Sequence, residues 1–330
     1  MKHVSILIPE GDCSLTHIEA THQIFSEINK FVLQQVGEPL FKIELVGLTK
    51  TPQLKKGCYA VTPHRTIDEL EHSDLVIIPA IQEEITGSLQ KNKPFLPWLC
   101  RQYRDGAELA SLCLGSFLLA DTGLLEGRKC TTHWSAAAEF REMFPDVLLV
   151  PDRIITDDAG IYSSGGALSF QNLLIYLIEK YAGRDMAILA SKIFMIDMDR
   201  YSQSPFTIFN SQKSHDDEEI SKVQQYIEQH LDEKISVEQL AAMLPASRRN
   251  FERRFKKATS NSVLEYLQRV RIEAAKKSLE SSRLTVTEVM YDVGYSDMKA
   301  FRTTFKKITG LSPLEYRKKY NPRAVLLTEA

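Results

Sequence analysis

At 330 residues, 43% hydrophobic and 25% charged, the chain has ordinary globular composition and room for two domains of about 150 residues each. No apolar run approaches the roughly 20 residues a bilayer span needs, and the opening MKHVSILIPEG reads as a strand, so a cytoplasmic protein without a membrane role is expected. Five cysteines, Cys13, Cys58, Cys100, Cys113 and Cys130, lack C-x-x-C spacing; reduced thiols are expected, with no disulfide framework, metal site or cofactor.

Residues 1 to 195 alternate short apolar runs with amphipathic stretches. VSILI (4 to 8), FKIELVGL (41 to 48), DLVIIPA (74 to 80) and AELASLC (107 to 113) predict strands, while residues 16 to 36 and 95 to 104 predict helices. Such alternation predicts a parallel sheet covered by helices on both faces, with ligands at the carboxyl ends of the strands. Residues 196 to 216 are polar without a sustained period and predict a linker, in which Pro205 and Phe206 are candidates to dock on a neighbour. From 217 to 320 every periodic segment is helical, which predicts an all-α second domain, followed by a tail at 321 to 330.

The net charge of −2 conceals an asymmetry. Residues 234 to 330 carry 20 Lys and Arg against 10 Asp and Glu, whereas residues 1 to 233 carry 21 against 33. A basic end on an acidic partner points to a nucleic-acid-binding module, although a solvated basic surface has the same composition.

The basic end contains an internal repeat. At an offset of 50, Phe251, Phe255, Lys256, Lys257, Thr259, Ser262, Leu264, Glu265 and Tyr266 recur as Phe301, Phe305, Lys306, Lys307, Thr309, Ser312, Leu314, Glu315 and Tyr316. Each copy reads as a short helix, a turn marked by Pro245 or Gly294, and a second helix with phenylalanines at i and i+4. That is the pattern of a helix-turn-helix. The polar faces offer Ser247, Arg248, Arg249, Asn250, Arg253 and Arg254 in one copy, and Asp297, Met298, Lys299, Arg302, Thr303 and Lys306 in the other. Arg and Asn can bond base edges bidentately, and Lys and Thr suit phosphate oxygens. One such face is usually just a solvated surface; two basic copies favour DNA.

The span from about 218 to 320, with GYSDMKAFRTTFKKITGLSPLEYR at 294 to 317, resembles the AraC-type DNA-binding domain. The resemblance implies two helix-turn-helix units joined by a long helix, here 262 to 282, entering successive major grooves roughly 34 Å apart.

In ELASLCLGSFLLADTGLLEGRKCTTHW (108 to 134), a strand runs into Cys113 and a helix follows Gly115, which is the strand-to-helix elbow used by nucleophiles. Backbone N–H groups and the helix end there favour a thiolate; the bland alternative is an inert buried cysteine. This segment, with SSGGALSFQNLLIYLIEKYAG at 163 to 183, resembles the flavodoxin-like PfpI fold of the class I glutamine amidotransferase type, as fused to AraC-type domains in the GlxA-like regulators. The resemblance makes Cys113 and His133 the catalytic candidates and gives Trp134 a place in the pocket. The acid of the family's first loop has no secure counterpart: His17 stands there, with Ala20 and Thr21 for Gly-Pro and with Asp12 or Glu19 as substitutes. His17 and His22, five residues apart, do not share a helical face. Gly165 and Gly166 open a helix and could present N–H groups to an anion, or serve close packing. The ligand-binding candidates are therefore Asp12, His17, Cys113, Leu114, His133, Trp134, Gly165 and Gly166.

The leading expectation is a transcription regulator, by resemblance more often an activator, whose first domain senses a small molecule or forms a homodimer. Double-stranded DNA and RNA polymerase are the expected macromolecular partners. Fusions of this type are linked by resemblance to amino-acid and quaternary-amine metabolism, which suggests a small nitrogenous effector. The alternative is a thiol-dependent hydrolase or hydratase using Cys113 and His133. A redox sensor at Cys113 is compatible with regulation.

Overall fold

Short runs that are apolar almost throughout can bury their side chains only as strands of a sheet covered on both faces. In a computed structural model, which describes residues 1–51, 53–55, 59–209 and 215–322, they do so. The chain divides into two compact units between Gln203 and Ser204.

The first unit contains strands β1 (Lys2–Leu7), β2 (Phe41–Gly47), β3 (Gln53–Lys55), β4 (Tyr59–Val61), β5 (Arg65–Thr66), β6 (Leu75–Ile78), β7 (Glu108–Leu112), β8 (Lys129–Cys130), β9 (Leu148–Leu149), β10 (Ile155–Asp158) and β11 (Ile161–Ser164). Seven form one sheet in the order β10-β11-β7-β6-β1-β2-β5. All its pairs are parallel except β10 with β11. The expected parallel sheet therefore carries one antiparallel edge.

Val4, Ile6 and Ile77 bury one face against α1 (Leu15–Val36), α6 (Phe170–Ala182) and α7 (Arg184–Ile193) through Ile18, Phe25, Phe170 and Ala187. Leu7, Val76 and Ile78 bury the other against α2 (Ile85–Asn92), α3 (Phe95–Arg104), α4 (Gly115–Ala120) and α5 (Ala137–Met143) through Leu89, Trp98, Phe117 and Phe140. From β1 the chain moves outward to β2 and then returns to β6 on the opposite side of β1. That reversal creates a topological switch point at the carboxyl ends of β1 and β6.

The second unit contains α8 (Glu218–Gln229), α9 (Val237–Ala241), α10 (Arg248–Thr259), α11 (Val263–Ser281), α12 (Val286–Asp292), α13 (Met298–Thr309) and α14 (Pro313–Tyr320). It has two small cores, and α11 serves both: Tyr266 and Val270 join Phe251 and Phe255, while Ile272 and Leu279 join Phe301 and Phe305. The repeat is reproduced ring by ring. Phe255 meets Tyr266 edge-on at 5.3 Å, and Phe305 meets Tyr316 edge-on at 5.5 Å. Ser236, Ser262, Thr285 and Ser312 open their helices with capping boxes that satisfy backbone N–H groups otherwise left unpaired.

Gly294 turns the second unit's corner at φ +76°, and a Cβ there would sit 2.5 Å from the Leu231 carbonyl. Arg271 lies against the same corner, donating from Nε to the Leu231 carbonyl at 2.8 Å and from Nη2 to that of Glu233 at 2.6 Å. These bonds tie the loop after α8 to α11, beside the turn of the second helix-turn-helix.

The stretch expected as a linker is anchored at several points. Ile196 is buried in the first unit's core and Gln203 is buried by hydrogen bonds to it. Pro205 and Phe206 dock within the second unit, on Tyr320 Oη and under the Lys319 ammonium. Residues 210–214 of that stretch, Cys58, and residues 323–330 of the expected tail lie outside the described residues.

Candidate functional site

The switch point is closed by its own backbone. Cys13 bridges Ile81, Ser14 N–H donates to the Ala80 carbonyl at 2.8 Å, and Gln82 N–H donates to that of Asp12 at 2.9 Å. Asp12 N–H in turn donates to Glu83 Oε1 at 2.9 Å.

His17, offered as a ligand-binding residue, is instead structural. Its Nδ1 accepts from Ala80 N–H at 3.1 Å, which leaves Nε2–H to donate to the Ala167 carbonyl at 3.1 Å. The imidazole is buried against Phe170, 4.3 Å between centroids, and burial lowers its pKa to about 4. A neutral ring is thus built into the core, where it joins α1, the loop after β6 and the loop before α6.

Cys113 does occupy a strand-to-helix elbow. Its φ of 55° lies in the left-handed region that non-glycine residues seldom enter. The turn is held by Cys113 N–H donating to the Ser164 carbonyl at 2.9 Å and by Ser116 Oγ donating to the Cys113 carbonyl at 2.9 Å. Gly115 is required because a Cβ there would stand 2.4 Å from the Ile78 carbonyl and 2.8 Å from that of Pro79.

The thiol, however, is not activated. Burial pushes it up to about 11 against a hydrogen bond from Leu114 N–H, which corrects the expected thiolate. α4 spans only six residues, and its end contributes too little to offset desolvation.

Among the described residues, no hydrogen bond joins Cys113 to His133. The His133 Nδ1 instead accepts from Ser135 N–H at 3.2 Å and pairs with Ser135 Oγ at 2.7 Å, capping the turn Trp134–Ala136. Its ring lies 5.3 Å from that of Trp134, and burial lowers its pKa. Of the two acids offered as substitutes, Glu19 is exposed, and Asp12 N–H is engaged by Glu83. The geometry lacks the linked nucleophile, base and acid that acyl transfer requires.

Gly165 and Gly166 do not open a helix, since α6 begins at Phe170. The Gly165 N–H is spent on the Ile154 carbonyl at 2.8 Å, and a Cβ on Gly165 would lie 1.8 Å from Gln203 Nε2. Gly165 serves close packing against Gln203, a residue that periodicity could not have singled out, and Gly166, at φ +76°, serves it against Ser169. A groove of about 480 Å³, lined by Val32, Val36, Leu40, Tyr181 and Met186, lies apart from all of these loops.

In the second unit, α10 and α13 repeat each other's exposure from Phe251 and Phe301 onward, with Phe251, Phe255, Phe301 and Phe305 inward. Arg248, Arg249 and Arg253 are exposed on α10; Lys299, Arg302, Thr303 and Lys306 are exposed on α13. Three proposed readers hold other posts. Ser247 and Asp297 are N-caps, accepting from Asn250 N–H and Ala300 N–H, and Met298 packs partly into the core.

Arg254 is also withdrawn from the exposed face. It pairs with Asp217 and with Glu219, Nη1 to Oε2 at 2.6 Å. Arg248 is engaged by Glu238 and Glu252, and Arg253 donates to Asn250 Oδ1 at 3.0 Å. Lys256, which the 50-residue offset matches to Lys306, is exposed as well and belongs with the candidates.

Comparison with known proteins agrees with this division. A model of the DJ-1/PfpI family matches residues 26–179, and a helix-turn-helix domain model matches residues 240–319. The chain is 26% identical over 288 residues to the HTH-type transcriptional regulator GbdR of Pseudomonas aeruginosa, covering 86% of this chain and 77% of that protein. It is 25% identical over 226 residues to the HTH-type transcriptional regulator GlxA of Rhizobium meliloti, covering 67% and 68%. The solved structure of an AraC family transcriptional regulator from Pseudomonas putida matches with a TM-score of 0.51 at 16% identity, covering 59% of this chain and all of that one, and so shares the first unit's fold. The paired recognition helices on their shared α11 and the elbow at Cys113 thus belong to a chain that joins a DJ-1/PfpI domain to an AraC-type helix-turn-helix domain.

Proposed function

We propose that this chain is a sequence-specific DNA-binding transcriptional regulator, not an enzyme, and that its first unit senses a small metabolite. The observation that carries the reading is the duplicated recognition helix with its exposed basic face, since one copy could be mere solubility and two in register suit successive major grooves. The raised Cys113 thiol and its separation from His133 support sensing without turnover. A sensor needs only an affinity that differs between two arrangements of the protein.

In this reading the protein acts in the cytoplasm as a homodimer, contacts RNA polymerase at the promoter and responds to an effector held near the elbow. Selection of binding sites from random duplexes by the full chain tests it: a shared motif with two half-sites about one helical turn apart is expected. Enrichment of no motif would overturn it. The enzyme alternative predicts turnover of amides or nitriles that disappears in Cys113→Ser.

A further inference from the structure

The two recognition helices share one frame. α10 and α13 each span 12 residues, follow the N-caps Ser247 and Asp297, and turn a pair of phenylalanines inward, Phe251 with Phe255 at 5.7 Å between centroids and Phe301 with Phe305 at 5.8 Å. Glu252 and Arg302 therefore occupy the same register, each exposed and each next after the first phenylalanine. Glu252 is the only carboxylate within either helix, and it stands among the arginines and lysines of α10. A negative charge on a face that meets phosphates weakens binding to every duplex unless a contact to a base offsets it.

The surroundings of Glu252 suit such a contact. Arg248 Nε donates to Glu252 Oε1 at 2.9 Å, and Arg248 Nη1 is bound in turn by Glu238 on α9. Oε1 is thereby engaged and the adjacent guanidinium compensates the charge, while Oε2 has no partner among the described residues. A carboxylate oxygen accepts and does not donate. In the major groove cytosine offers its N4 amino group, adenine offers N6 beside the N7 acceptor, and guanine and thymine offer acceptors without a donor. Cytosine is the base on which Oε2 gains most.

We propose that Glu252 is a specificity-determining residue of the DNA interface, accepting from the N4 amino group of a cytosine through Oε2, while Arg302 reads a guanine at the same register of the other half-site. Arg248 acts through Glu252 as a positioning residue. The two helix-turn-helix units then recognise different half-sites in spite of their shared frame, so the bound sequence has a direction. The inference rests on the regulator reading and adds to it one named base contact.

The test is selection from random duplexes by the full chain, unmodified and as Glu252→Gln and Glu252→Ala, followed by titration of the selected duplex with each base in turn at the altered position. Glu252 is exposed and outside both small cores, so neither variant disturbs the packing. The unmodified chain is expected to prefer cytosine there by about fivefold or more, and Glu252→Gln to move the preference to adenine, whose N6 and N7 an amide meets bidentately. Glu252→Ala should accept all four bases within about twofold and bind every duplex more tightly at low salt. Arg302→Ala should relax a different position, about one helical turn away. If both Glu252 variants raise affinity for all duplexes alike and keep the base preferences of the unmodified chain, the carboxylate is only a surface charge and the proposal is overturned. A motif from the unmodified chain in which no cytosine responds to the Glu252 variants overturns it too and leaves the regulator reading standing, whereas the absence of any motif overturns both.

Discussion

Arg254 grips Asp217 with two parallel bonds, Nη2 to Oδ1 at 2.7 Å and Nε to Oδ2 at 3.0 Å. The pair fastens the first recognition helix to the start of α8, where Asp217 is also the N-cap, accepting from Ile220 N–H. Two jobs converge on one carboxylate, and the Arg254 charge holds it below the usual carboxylate range.

Arg254→Ala is therefore expected to lower the unfolding midpoint of the protein while leaving the ratio of specific to nonspecific duplex affinity near that of the unmodified chain. Differential scanning calorimetry and paired titrations on two duplexes separate the two effects. A collapse of discrimination with unchanged stability would return Arg254 to the DNA interface.

Arg302 and Lys306 are both exposed on α13, and they should behave differently. Arg302→Ala is expected to cost about 1–3 kcal/mol on the specific duplex and to relax the preference at one position. Lys306→Ala should weaken all duplexes alike and reduce the salt dependence of binding by about one unit of slope.

His17 gives the first unit a defined acid sensitivity. Its folded pKa of about 4 lies below the ordinary 6.5, so the unfolded chain binds the extra proton first. Stability from the neutral ring is complete above about pH 6.5 and declines as the pH falls toward 4, where the loss levels off at about 3 kcal/mol. Urea unfolding followed by tryptophan emission reports this unit specifically, because Trp98 and Trp134 are the only tryptophans. His17→Gln should remove most of the slope between pH 6.5 and 4.5, and an unchanged slope would assign it to other groups.

With its thiol raised to about 11, Cys113 should resist alkylation near neutral pH. Iodoacetamide at pH 7.5 is expected to label the partly exposed Cys100 well before Cys113, as read by peptide mass spectrometry. Rapid labelling of Cys113 would instead restore the nucleophile and redox readings.

Gly115→Ala places a methyl group against the Ile78 and Pro79 carbonyls. Overpacking of backbone against backbone should destabilise the first unit by about 1–3 kcal/mol in the same urea assay. Cys113→Ala, which removes no required contact of the turn's backbone, should cost less.

What the sequence by itself determined was pattern. Short, nearly continuous apolar runs placed β1, β2, β6 and β7 within a residue or two of their ends, because a buried strand must present apolar groups to both layers. The 50-residue repeat located both helix-turn-helix units and the inward phenylalanines, because each copy has to build the same small core on α11. The elbow was legible too, since a strand followed by Cys-Leu-Gly and a helix leaves few backbone paths.

What only the tertiary structure decided was the choice of partners. His17 looked like a pocket residue until Ala80 and Ala167 claimed its two nitrogens from 63 and 150 residues away. Arg254 looked like a DNA reader until Asp217 took it, and Gln203 sat unnoticed in a polar stretch until four oxygens gathered round its amide. Cys113 kept its position and lost its predicted charge, because the pKa of a thiol depends on how much water the fold removes. Periodicity records which face of a segment is buried; which polar group waits on that side is set by chain segments far away in sequence.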